Sequence, residues 1–129
     1  NNPWCRDRKP SVRHAETDTM EYTNPISGVT KTISIYDADD YARDMADDLA
    51  TLTSDGVTIY TVGLGAPVQS TTTVDAGEAP PAEALLEYVA EDAGGTSIAH
   101  GRYFYAQTGS ALADVFELIA SNIATRISQ

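Results

Sequence analysis

The feature that most constrains this chain is an uncharged run, Val57–Leu64, set between two helical patterns. It is rich in β-branched and aromatic residues. A strand covered on both faces has this composition, which places it in the middle of a parallel sheet. Gly63 and Gly65 end it. Downstream, residues 82–93 repeat Leu85, Leu86, Val89 and Ala93 at helical spacing, and Gly94-Gly95 stops the pattern. Arg102–Ala106 reads as a second short strand. The last helix follows, with Thr108 or Ser110 as cap and Leu112, Val115, Phe116, Ile119, Ala120, Ile123 and Ile127 on its apolar side. Helices between short strands imply crossover connections and an α/β layer architecture.

The first quarter is different. Residues 1–36 are punctuated by Pro3, Pro10, Pro25 and Gly28, so they read as an irregular segment. Only Val29–Tyr36 alternates weakly, as a short strand or hairpin arm does. Residues 37–129 form the α/β part. It opens with a predicted helix, Asp39–Thr53, on which Tyr41, Met45, Leu49 and Leu52 share one face, widened by Ala42 and Ala46. Asp37, Asp39 and Asp40 stand at its start, where carboxylates complement the helix dipole and cap free N–H groups. Ala66–Pro81 is a loop of Thr, Ser, Gly and Pro.

Charge narrows the partners. The net charge of −11 argues against nucleic acid or an anionic membrane surface. It suits a soluble exported or surface protein, although cytosolic proteins can be this acidic too. No apolar run approaches the roughly 20 residues that span a bilayer, so no transmembrane segment is expected. Asn1 opens a polar stretch without a signal peptide, and the start reads as a cut or processed end. The one cysteine, Cys5, excludes an internal disulfide. It is either a free thiol or bonded to a cysteine outside the chain.

No constellation of catalytic residues stands out. Gly63-Leu-Gly65 does not open a helix, as a dinucleotide fingerprint would, and reads as a turn at a strand's carboxyl end. Asp37, Asp39, Asp40, Asp44, Asp47 and Asp48 lack the glycine turn and bidentate Glu of a calcium loop, and read as a solvated helix face. His14, His100 and Cys5 lack zinc-ligand spacing, and no Gly-x-Ser-x-Gly elbow is present. An enzyme is therefore not expected, and no metal ligand is assigned in this chain.

Taken together, Gly56-Val-Thr-Ile-Tyr-Thr-Val-Gly-Leu-Gly65, Leu85–Ala90 with Gly94-Gly95, Tyr103–Ala106 and Leu112–Ala120 resemble the second half of a von Willebrand factor A domain. The closing Ile123–Ile127 is similar to bacterial surface and tight-adherence pilus-assembly members. The resemblance covers residues 39–129 and implies a partial doubly wound, Rossmann-like fold with mainly parallel strands. The family holds a divalent cation through Asp-x-Ser-x-Ser, a Thr and a later Asp, none of which is in this chain. It therefore implies Mg²⁺ or Ca²⁺ only if a missing N-terminal half supplies that motif. Asn1-Asn2-Pro3-Trp4-Cys5 looks like the stretch just after the family's last metal-loop Asp, which makes Asn1, Asn2 and Trp4 the candidate partner-binding residues. Cys5 would then pair with a cysteine of the missing half. Two strands and three helices leave unpaired sheet edges, so the missing N-terminal half or a neighbouring subunit is the expected protein partner. The implied function is a non-enzymatic adhesion or protein-binding module of an extracellular or cell-envelope protein. The alternative is a structural subunit of a surface or membrane-associated assembly that keeps the fold without metal-dependent binding.

Overall fold

The computed structural model describes residues 12–52, 57–70, 81–96 and 100–127. It is mixed α/β, with two separate two-stranded sheets. In chain order the elements are β1 (Thr19–Thr23), β2 (Thr30–Ser34), α1 (Ala38–Ala50), β3 (Tyr60–Leu64), α2 (Pro81–Glu87), β4 (Arg102–Ala106) and α3 (Gly109–Ile127). A short 3₁₀ turn, Ala66–Gln69, follows β3, and a π-helical turn, Tyr88–Asp92, extends α2.

β3 and β4 pair in parallel, from Tyr60 opposite Arg102 to Leu64 opposite Ala106. The connection between them carries α2, so this is a β–α–β unit. α2, the π turn and α3 all pack against the pair. β3 is shorter than the uncharged run that predicts it: residues 57–59 approach it in an irregular conformation. Ile59 and Val62 are only half-buried, because β3 has one neighbouring strand and not two. Among the described residues β3 is therefore an edge strand and not a central one.

β1 and β2 form an antiparallel hairpin, from Thr19 opposite Ser34 to Thr23 opposite Thr30. Its turn is closed by Asn24, whose side chain accepts from the N–H groups of Ile26 and Ser27, an Asx arrangement common at such turns. β2 lies inside the 29–36 stretch that alternates in the sequence.

α1 is the second departure. Asp37 caps it, and Asp40 reaches back to the Asp37 N–H to complete a capping box. The apolar stripe of the sequence faces outward: Tyr41, Met45, Leu49 and Leu52 are 57%, 47%, 46% and 71% exposed. The buried side carries Asp40, Arg43, Ala46 and Ala50. The reason is packing distance. Ala46 and Ala50 meet Ala93, with Tyr88 and Val89 beside them. Small residues let the helix approach the π turn closely, and the stripe is left on the far side.

α2 and α3 follow their predicted positions with thinner burial. Ala90 and Ala93 are buried, while Leu85, Leu86 and Val89 are half-buried. Gly94 and Gly95 both take positive φ, which ends the helix as the sequence suggests. On α3, Val115 is buried but Phe116 and Ile123 are exposed. No helix among the described residues is long and apolar enough to cross a membrane.

Gly101 sets the spacing at the start of the parallel pair. Its N–H donates to the Ala90 carbonyl at 3.0 Å. A Cβ there would stand 1.8 Å from the Ile59 carbonyl oxygen, a backbone atom that cannot swing away. Gly101→Ala should cost roughly 1–3 kcal/mol, as overpacking does, read as a lower midpoint in denaturant. A midpoint equal to wild type would contradict the close approach of residues 59 and 101.

Candidate functional site

Asn1, Asn2, Trp4 and Cys5 lie outside the described residues. What the structure does bring together is a polar hub on α1 and two uncovered surfaces beside it.

The hub joins three parts of the chain. Asp47 accepts from the Tyr88 hydroxyl at 2.7 Å and from the Gly94 N–H at 2.8 Å. Its other oxygen is 2.8 Å from the Arg13 guanidinium. Arg13 also pairs with Asp44 and donates to the Tyr88 hydroxyl at 2.6 Å. Asp44 takes a further bond from the Tyr36 hydroxyl at 2.8 Å. One turn earlier, buried Asp40 accepts the His14 N–H at 2.8 Å, and the His14 Nδ1 stands 3.5 Å from its second oxygen. Arg13 and Arg43 approach the Tyr88 ring at 5.6 and 5.0 Å, within cation–π range.

These contacts shift the titration of the cluster. Arg13 and then Tyr36 hold the Asp44 carboxyl below the ordinary range. Burial pushes Asp47 up, but Tyr88, Gly94 and Arg13 outweigh it and leave it low. The Tyr36 phenol is pushed up to about 12, chiefly by its bond to Asp44. Asp39 goes the other way, to about 7. Burial is the main cause, neighbouring Asp37 and Asp40 add to it, and Arg43 opposes.

The acidic run is thus a solvated face only in part, at exposed Asp48. Asp40 is buried, and Asp39, Asp44 and Asp47 are half-buried. Sequence reasoning missed Arg13 and Tyr88 as their partners. The one available signal was the density of carboxylates next to a slightly basic segment. No group of three His, Cys, Asp or Glu suited to a metal ion occurs among the described residues. The His100 Nε2 stands 2.8 Å from the Gly95 carbonyl oxygen. Thr108 Oγ1 caps the Ala111 N–H at 3.3 Å.

Among the described residues these uncovered surfaces are the outer edge of β3 and the α1 stripe. The Gly65 N–H donates to the Ala106 carbonyl at 2.9 Å. In a parallel ladder that register turns the Thr61, Gly63 and Gly65 amides toward β4 and those of Tyr60, Val62 and Leu64 away from it. Leu64 is 50% exposed. Exposed apolar surface next to an open strand edge is a recognition surface or an aggregation liability.

Asp39 and the Asp44–Asp47 pair act on stability in opposite senses. The folded state binds the Asp39 proton more tightly than the unfolded chain does. Stability therefore falls as pH rises from about 4 to about 7. The low Asp44 and Asp47 values contribute stability above the ordinary carboxylate range, lost as pH falls through it. Asp39→Asn should be more stable than wild type at about pH 8, with the difference vanishing toward pH 4. Equal stability of the two proteins at pH 8 in urea titrations would contradict the burial of Asp39.

No family model matches the chain, and no curated protein or solved structure matches it either.

Proposed function

We propose that this chain is the C-terminal part of a von Willebrand A-type, non-enzymatic protein-binding module of an extracellular or cell-envelope protein. The open β3 edge is the seam at which another polypeptide joins its sheet. One observation carries the reading: β3 has β4 on one side only among the described residues, and its outer amides and Leu64 are left for a partner. Strand addition supplies main-chain hydrogen bonds for affinity and side-chain pockets for specificity. The partner is the missing N-terminal half or a neighbouring subunit. The motif order of Gly56–Gly65, Leu85–Gly95 and Tyr103–Ala120 supports the family assignment. The net charge of −11 fits an exported protein and disfavours nucleic acid. Mg²⁺ or Ca²⁺ enters only with a partner that carries the metal motif.

Intact mass and peptide sequencing of the native protein test this, together with calorimetric titration of Mg²⁺. The expected result is a polypeptide or subunit carrying Asp-x-Ser-x-Ser, bound through the β3 edge. Mg²⁺ should bind the assembly and not residues 1–129 alone. A bound subunit without the motif and without Mg²⁺ binding would favour the structural-subunit alternative. A native protein that is residues 1–129 and nothing else, with no bound polypeptide, would overturn the reading.

A further inference from the structure

The β1–β2 hairpin is two-faced. Directly opposed residues of an antiparallel pair share a face. Thr19 and Ser34, Glu21 and Thr32, and Thr23 and Thr30 make one side, all polar. Thr32 donates to Glu21 at 2.7 Å, and the Thr23 and Thr30 hydroxyls are 2.9 Å apart. Met20 with Ile33, and Tyr22 with Lys31, make the other side. Among the described residues no helix or strand packs along this hairpin; Met20 is 40% exposed, while Tyr22 and Ile33 are half-buried. A lone two-stranded hairpin is marginal in water, so its apolar face calls for a cover.

The α1 stripe has the complementary problem. Tyr41, Met45, Leu49 and Leu52 stand outward with Asp48 among them, since Asp48 lies seven residues after Tyr41 and three after Met45. Residues 41 to 52 of α1 and its C-terminal turn span about 17 Å along the helix axis. A five-residue strand spans about 17 Å as well. Lys31 is the cation of the hairpin's apolar face and Asp48 the carboxylate of the stripe. Neither makes an ion pair among the described residues.

The hairpin is held away from its own stripe. On one side of it, Arg13 is bound to Asp44 and Asp47, and the His14 N–H to Asp40; on the other, the Tyr36 hydroxyl is bound to Asp44. Asp40, Asp44 and Asp47 lie about 130° around the helix from the stripe. Both ends of the hairpin are thus fixed to a different side of α1, which favours a stripe on another molecule.

We propose that two copies of this chain exchange hairpins, each laying the Met20–Tyr22–Ile33 face over the α1 stripe of the other, with Lys31 opposite Asp48 of the second copy. The exchange is reciprocal, so it closes as a two-fold dimer. It uses neither edge of the β3–β4 pair and is independent of the proposed function.

Sedimentation equilibrium on the full chain tests the exchange, with Lys31→Glu, Asp48→Lys, their equimolar mixture and the double variant. All the changes are at exposed positions, and circular dichroism checks that the fold is kept. The wild type should be a reversible dimer at about 0.15 M salt. Each single variant alone should bind itself roughly tenfold more weakly, because like charges then face each other. The mixture should recover wild-type association. In a mixed dimer the carboxylate introduced by K31E meets the ammonium introduced by D48K, and the native Lys31 meets the native Asp48 at the other contact. A monomeric wild type would overturn the proposal. So would single variants that dimerise as wild type does. Recovery in the double variant but not in the mixture would also overturn it, by placing the hairpin on its own helix.

Discussion

Asp47 holds the three parts of this molecule together. Its carboxylate takes the Tyr88 hydroxyl and the Gly94 N–H from the end of the α2 segment, and the Arg13 guanidinium from the segment that precedes the β1–β2 hairpin. Among the described residues the buried apolar contact between α1 and the rest is slight: Ala46 and Ala50 against Ala93, with Tyr88 and Val89 at the margin. A few buried alanines supply little hydrophobic free energy. The orientation of α1 therefore rests on charge-assisted hydrogen bonds, which are the stronger kind. Asp40 does the same about two turns earlier, joining the helix cap to the His14 backbone.

This arrangement explains the inverted helix. An amphipathic helix usually turns its bulky stripe to the core. Here the polar side finds its partners within the chain, and the stripe of Tyr41, Met45, Leu49 and Leu52 does not. The same holds for β3, which among the described residues has a neighbour on one side only, and for Phe116 and Ile123 on α3. Surfaces of this kind are costly in isolation. Association would cover two of them: a polypeptide along the β3 edge, and a second copy's hairpin over α1.

Much of the α/β part was legible locally. The uncharged run pointed to β3 because β-branched residues suit a strand, and Gly94-Gly95 marked the end of the helical segment because positive φ favours glycine. Asp37 and Asp40 were readable as a cap from their position alone. What escaped was nonlocal. Periodicity says that Tyr41, Met45, Leu49 and Leu52 share a face, but not which neighbour that face meets. The Asp44 and Asp47 contacts to Arg13 and Tyr88 cross the chain, 41 residues apart for Asp47 and Tyr88. β1 was not foreseen, because Thr-Met-Glu-Tyr-Thr has no apolar run and becomes a strand only through its pairing with β2. The partner-binding reading of Asn1, Asn2 and Trp4 came from resemblance alone.

The most direct test of the central claim, that the sheet is open at β3, is residue-resolved amide hydrogen exchange on the chain by itself. Protection should alternate along the strand. The Thr61, Gly63 and Gly65 amides, turned toward β4, should exchange slowly, and those of Tyr60, Val62 and Leu64 should exchange fast. Slow exchange at all six positions would mean that β3 already has a strand on both sides, and would contradict the account.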